Sequence, residues 1–302
     1  MTAPRMTVEP LESEIPASTA RPAPALRVAT ANVRIPVDAG TASWSARGRL
    51  LARTLHDSGT HVIGVQELRS GPAVDLLSWM PGTAWFGRDR RGGHDDEHVG
   101  LLYRPDRLEL LDGGDFWLSD TLHEPGSITW GNLFPRMVTW ARFRDREIPT
   151  HESTDAAADL LVAVTHLPYR PADERARIRS AELIAAELDA LAAEAPIVLL
   201  GDMNTGPQSA THETLIRAGF VDARESPAAH HTGPDATFHA FTGDPAAATD
   251  AGEPGERIDW ILQRGFEVTA TATLDAHGAS PEHDGAVWPS DHFPVTADLV
   301  RR

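Results

Sequence analysis

Asn32, Glu67, His166, Asp202, Asn204, Asp259, Asp291 and His292 are the residues of this chain whose types could carry chemistry together. Each stands at or beside the end of a short apolar run: "TANVR", "VQE", "VTHL", "LLGDMN", "RIDWI" and "SDHFPV". Taken singly, each has a plain reading. Glu67 alone is a solvated acid, Asn32 a turn residue and His166 a hydrogen-bonded core histidine. "PIVLLGDMNTGP" alone is a strand running into a turn, with Gly201 making the turn that delivers Asp202 and Asn204. Asp259, between Ile258 and Trp260, is harder to dismiss, because a buried aspartate needs a partner. If one sheet edge gathers these ends, carboxylates, asparagines and histidines surround one cleft, which is a hard-metal site with acid–base groups beside it. Oxygen donors without cysteine favour Mg²⁺ or Mn²⁺ over zinc.

The elements that must position these groups follow from the apolar periods. Residues 27–33, 61–67, 99–104, 137–143, 159–167, 196–202, 257–263 and 293–300 read as strands, several of them apolar on both faces. Residues 45–57 and 173–194 read as amphipathic helices. This mixture predicts an α/β protein with one core, formed by a single domain over 26–302. Residues 1–25, rich in Pro, Ala, Ser and Thr without an apolar period, read as a disordered lead-in. Residues 145–159 and 243–256 read as flexible insertions.

Composition narrows the chemistry further. The 302 residues include no cysteine, which removes a thiol nucleophile and Cys-bound zinc and fits a reducing cytoplasm. All 27 basic residues are arginine, so no Schiff base or P-loop lysine exists. A formal charge of −17 opposes broad binding to nucleic acid or an anionic membrane, while a metal held by carboxylates can still attract phosphate. No apolar run reaches the ~20 residues of a membrane span, and no signal-peptide core is present.

In this order, the six motifs resemble the endonuclease/exonuclease/phosphatase superfamily of metal-dependent phosphoesterases, from about Arg27 to the C-terminus. "FWLSDT", "WGNLFPRMVTWARF", "TFHAFTG" and "RIDWIL" resemble a bacterial branch of it. The resemblance implies a four-layer α/β sandwich, two mixed sheets packed face to face with helices outside, and an active site at one edge of the sheets. It implies Glu67 as the principal metal ligand with Asn32 and Asp291 near the same ion, and His292 as general base held by Asp259. Asp202 and Asn204 would orient the nucleophile and bind phosphate oxygens, and His166 would contact the phosphate or assist the leaving group. Glu97 would pair with His166, with Asp95 and Asp96 as adjacent candidates in a loop that could equally be solvated.

The pattern departs after His166. Many relatives of this branch continue His-Leu-Asp-His, whereas this chain reads "THLPYRP". The metal chemistry is expected to survive and the pocket to change through Pro168 and Tyr169, with neutral drift of a surface loop as the alternative. Arg136 is the expected phosphate-binding arginine, Arg170 the second choice, and His239 with Phe241 would wall the pocket or serve a purely structural role. The expected function is hydrolysis of a phosphomonoester or phosphodiester of a small or medium metabolite by direct water attack. A Mg²⁺-dependent nuclease is the alternative, followed by a non-catalytic binding protein, and a lyase or transferase on the same site is a further possibility to test. No obligate protein partner is evident.

Overall fold

The computed structural model describes residues 25–148, 158–245, 256–279 and 285–302. The expected lead-in therefore lies outside the described residues except for Ala25, and the two expected insertions lie largely outside them.

The strands are β1 (Leu26–Asn32), β2 (Val62–Leu68), β3 (Ala84–Asp89), β4 (His98–Tyr103), β5 (Leu108–Trp117), β6 (Met137–Asp145), β7 (Asp159–His166) and β8 (Ile197–Asp202). They continue as β9 (Val221–Asp222), β10 (His230–Thr232), β11 (Asp259–Arg264), β12 (Phe266–Thr273), β13 (Gly278–Ala279), β14 (Ala286–Val287) and β15 (Val295–Arg301). The α-helices are α1 (Trp44–Asp57), α2 (Ser70–Trp79), α3 (Glu174–Ala192) and α4 (Ala210–Arg217). One seven-stranded sheet runs β10-β12-β15-β1-β2-β4-β3, a six-stranded sheet runs β5-β6-β7-β8-β11-β9, and β13 pairs with β14.

Alternation along the strands sorts the apolar residues into three layers of packing. Val28, Val62, Val162, Val164, Val198, Leu200 and Ile261 meet between the two sheets. Leu161, Leu199 and Leu262, on the opposite face, pack with Ile184 and Leu188 of α3 and Leu215 of α4. Ala29, Ile63 and Val65 pack with Leu51 and Leu55 of α1 and Leu76 of α2. The result is the expected four-layer sandwich, helices outside two mixed sheets. Every expected strand forms, with ends shifted by one or two residues. β3, β5, β12, α2 and α4 are additions that their weaker patterns hide; α2, for example, carries a Gly-Pro pair in its first turn.

The sheets approach closely at Gly64, where a Cβ would lie 2.8 Å from Leu200 Cβ and from a Val164 methyl. Gly201 has a related role. A Cβ there would lie 2.4 Å from the Thr165 carbonyl oxygen, so this glycine permits β7 and β8 to pair. It sits within β8 and makes no turn, contrary to the sequence expectation. The turn belongs to Asn204, whose φ is 50°.

Candidate active site

Strand parity carries the polar residues to the inter-sheet edge. Along β8, Val198 and Leu200 face the other sheet, so Asp202 does too, two residues further on. His166 lies opposite Asp202 in the parallel β7–β8 pair, and Asp259 opposite Asp202 in the antiparallel β8–β11 pair. Three adjacent strands thus end in one row: His166, Asp202, Asp259. From the facing sheet, the Asn32 amide at the end of β1 donates to Asp202 Oδ2 at 2.9 Å and to Glu67 Oε1 at 3.1 Å.

Glu67 should miss this edge by parity, since Ile63 and Val65 face the helices. A register shift between Val65 and Leu68 and a φ of 60° at Glu67 turn it inward instead. Its Oε2 accepts from the Ile35 N–H at 3.1 Å.

His292 precedes β15 and is held on several sides. Its Nδ1 lies 2.8 Å from Asp259 Oδ2, so the carboxylate fixes the proton on Nδ1 and leaves Nε2, 3.9 Å from Asp202 Oδ2, as the reactive nitrogen. Phe238 covers the ring at 5.0 Å, edge on. The Phe293 N–H donates to the Thr237 carbonyl at 2.7 Å, and the Thr237 hydroxyl accepts from the Asp259 N–H at 3.1 Å. Thr237 therefore braces both members of the dyad, a role its place in "TFHAF" gave no reason to single out.

These groups open on a cavity of about 420 Å³ lined by Arg34, Glu67, Arg90, Glu97, Phe134, Arg136, His166, Tyr169, Asp202, Asn204, Phe238, Glu256, Asp291 and His292, among others. Of the remaining expected residues, Glu97 and Tyr169 line the cavity, whereas Arg170, His239 and Phe241 do not. Glu97 does not pair with His166; it accepts from Arg90 at 2.8 Å, while His166 Nε2 lies 3.4 Å from Asp202. Arg170 turns to Asp173 and the Gly131 carbonyl, away from the cavity, where it ties the Tyr169 loop to the loop before Phe134. His239 is buried behind the wall, stacked on Phe293 at 4.0 Å, and Phe241 packs over Arg47. Tyr169 is on the rim, half exposed.

The sequence reading passed over Arg47. The side chain is fully buried in α1 and pairs with no carboxylate among the described residues; it donates to the carbonyls of Val33, Arg34, Ile35, Ala42 and Pro289. One guanidinium thereby joins the loop after Asn32 to the loop before Asp291. An arginine four residues before Leu51, on the apolar face of an amphipathic helix, is the signal that could have found it. Arg47→Met leaves these carbonyls without their donor and is expected to destabilise the fold by about 3 to 5 kcal/mol. An unchanged denaturant midpoint in that variant would contradict the clamp.

Electrostatically the site is short of positive charge. Burial and the nearby Asp259 push Asp202 up to about 7, and burial with Glu67 pushes Asp291 up. Burial disfavours the His292 imidazolium, but Asp259 and Asp202 outweigh that and raise it to about 10. Burial, with Arg136 and His292, keeps His166 neutral. Asp259 Oδ1 has no hydrogen-bond partner among the described residues. Buried carboxylates whose charged form is disfavoured are what a bound divalent cation relieves, so the donor set fits such an ion.

Asp202, Asp259 and His292 bring ligand atoms within 4.8 Å of one another at this site. Asp259 and His292 already engage each other, however, which leaves Glu67, Asn32 and Asp291 as the better oxygen set for a hard cation. The raised groups also fix a sign. Both favour the protonated folded state, so in chelator the stability contributed by Asp202 is present below about pH 4 and lost through about 7, and that of His292 is present below about 6.5 and lost through about 10. The thermal midpoint of the metal-free protein is expected to fall from pH 5 to 9, and less steeply with Mg²⁺ present. A midpoint that rises over this range would refute the charge deficit.

A profile of the endonuclease/exonuclease/phosphatase family matches residues 29–292, from β1 to the dyad histidine. The chain belongs to this family. Family members are hydrolases of phosphate esters, nucleases among them, and typically depend on a divalent metal. A family protein from Bacteroides thetaiotaomicron has 27% identity and a TM-score of 0.80 over 92% of this chain and 95% of that one. A mannosyl-6-phosphatase from the same organism matches with 27% identity and a TM-score of 0.80, over 91% of this chain and 99% of its own. TDP2 of D. rerio, in complex with a single-strand DNA product, shares the fold at 16% identity and a TM-score of 0.68. Protein angel of Drosophila melanogaster is 26% identical over 195 residues, 63% of this chain and 52% of that protein, so the chain spans about half of that relative. Among the described residues, no helix is long and apolar enough to cross a membrane.

Proposed function

We propose that the protein is a divalent-metal-dependent phosphoesterase acting on a small or medium phosphorylated metabolite by direct attack of water. The observation that carries this reading is the His292–Asp259 pair opening on the same cavity as buried carboxylates and the buried Arg136. Glu67, Asn32 and Asp291 would hold Mg²⁺ or Mn²⁺, which when bound neutralises phosphate charge. Nearby metal charge would bring the raised His292 back down, so that Nε2 is free to take the proton of the attacking water while Asp259 stabilises the imidazolium that forms. Asp202 and Asn204 orient the water and the phosphate. Asn204 is fixed for this by its N–H on Asp202 at 2.9 Å and its side-chain amide on the Leu167 carbonyl at 3.0 Å. His166, neutral, offers a hydrogen bond to a phosphate oxygen, and Arg136 offers its guanidinium.

A metabolite is favoured over a nucleic acid because the net charge is −17 and the groups sit in a bounded cavity. The 27%-identical mannosyl-6-phosphatase is consistent with a small phosphate ester. The test is phosphate release from a panel of phosphorylated metabolites with Mg²⁺ or Mn²⁺, run beside plasmid and oligonucleotide, with His292→Ala as blank. Release from the small esters is expected; cleavage of nucleic acid alone would replace this reading with a nuclease.

A further inference from the structure

Three arginines line the cavity, and they differ in what they already hold. Arg34 pairs with Asp38 at 3.0 Å and lies 3.7 Å from Asp291. Arg90 pairs with Glu97 at 2.8 Å and Asp96 at 3.1 Å, with Phe134 stacked on it at 4.5 Å. Arg136 has no hydrogen bond or ion pair from its side chain to any described residue, although it is 5% exposed. Of the carboxylates whose charge reaches it, Glu97 acts most strongly, ahead of Asp202 and Glu67, and Glu97 is committed to Arg90. With no partner among the described residues, the Arg136 guanidinium is left to take one from the cavity that it lines.

We propose that Arg136 makes the site selective for a terminal phosphate, a phosphomonoester dianion, over a phosphodiester; this rests on the phosphoesterase reading above. A monoester presents three terminal oxygens beside its leaving group. The site offers three places for them: the Glu67–Asn32–Asp291 side, the His166–Asn204 side, and Arg136. A diester must put an ester oxygen in one of those places. At Arg136 that oxygen carries no formal charge and is a poor acceptor, and its carbon substituent would stand where the guanidinium, 5% exposed, needs an acceptor. A site built to donate to a terminal oxygen rejects the analogue that lacks it, because its own buried donors then stay unpaired.

The reaction follows the same balance for either ester. Water oxygen bonds to phosphorus, the bond to the leaving oxygen breaks, and one water proton passes to His292 Nε2. The two esters differ only in the group that Arg136 meets.

The probes are 4-nitrophenyl phosphate and its methyl ester, which share a leaving group and differ by one methyl on a terminal oxygen. With Mg²⁺ the wild-type protein is expected to prefer the monoester, and in Arg136→Gln the ratio of the two kcat/KM values is expected to fall at least about 30-fold, the equivalent of a buried charge-assisted hydrogen bond. Arg136→Lys, which keeps the charge and loses the planar fork, should recover part of the ratio. A wild-type preference for the methyl ester, or equal losses on both probes in Arg136→Gln, overturns the proposal. Calorimetry with inorganic phosphate and dimethyl phosphate reads the same selectivity without turnover. Tighter binding of inorganic phosphate that Arg136→Gln abolishes supports the proposal even if neither nitrophenyl ester is hydrolysed, an outcome that counts against the phosphoesterase reading alone. Equal binding of the two anions by the wild-type protein overturns it.

Discussion

Replacing His292 by alanine is expected to lower kcat by about 10³-fold, near the middle of the range for a positioned general base. The expectation rests on Nε2 being the free nitrogen of a ring whose Nδ1 is held by Asp259 at 2.8 Å. Because Asp259 Oδ1 already lacks a partner, the alanine variant leaves the whole carboxylate unpaired in a buried position and should also lose stability. His292→Asn separates the two effects. Its amide can still donate towards Asp259 but cannot accept a proton from water, so it should regain stability without regaining activity. The measurement is kcat beside the thermal midpoint for both variants. Turnover within tenfold of wild type in a folded His292→Ala protein would remove His292 from the chemistry.

Removing the metal, or the carboxylate expected to hold it, should have an effect of similar size. Excess EDTA is expected to abolish turnover, and Glu67→Gln to weaken Mg²⁺ binding and lower kcat by ~10²-fold or more, since the amide keeps the shape and loses the charge. The backbone provides a control. Glu67 has φ 60°, a conformation that costs an L-residue ~1 kcal/mol and a glycine little. Glu67→Gly should therefore fold readily and remain inactive, with Mg²⁺ affinity by calorimetry as the readout. Full activity in EDTA, or unaltered Mg²⁺ affinity in Glu67→Gly, would falsify the assignment.

How much of the site could be read in advance varied with how local its cause is. His166, Asp202 and Asp259 lie on strands with strong apolar periods, and period-two parity is enough to send all three to one face once the strands are paired. Glu67 was identifiable as a residue type and a position, but parity alone sends it to the helix side. Only the bulge in β2 brings it in. Glu97 was the plainest misreading. Its neighbour Arg90 sits seven residues away across a loop organised by Asp89, which accepts from the N–H groups of Arg91, Gly93, Asp95 and Asp96. That loop geometry brings an arginine to the carboxylate, and no linear period announces it.

Arg170 and His239 show the same limit from the other side. Both belong to suggestive motifs, yet one is spent on Asp173 and the other on packing against Phe293. A side chain's direction depends on which partner lies within reach, and partners arrive from distant segments.

By itself, the sequence determined the strand and helix periods of an α/β protein, the set of oxygen and imidazole groups at the ends of its strands, and the absence of lysine and cysteine that limits their chemistry; the family resemblance of its motifs added the four-layer sandwich. Periodicity and residue type are local properties, and they survive any arrangement of the rest. The tertiary structure alone decided that His292 is oriented by Asp259, that Arg47 joins the loops after Asn32 and before Asp291, and that of three cavity arginines Arg34 and Arg90 are paired with carboxylates while Arg136 has no ion pair to a described residue. Those are pairings between segments up to 242 residues apart, and charge satisfaction across such separations is fixed by packing, which no window of sequence contains.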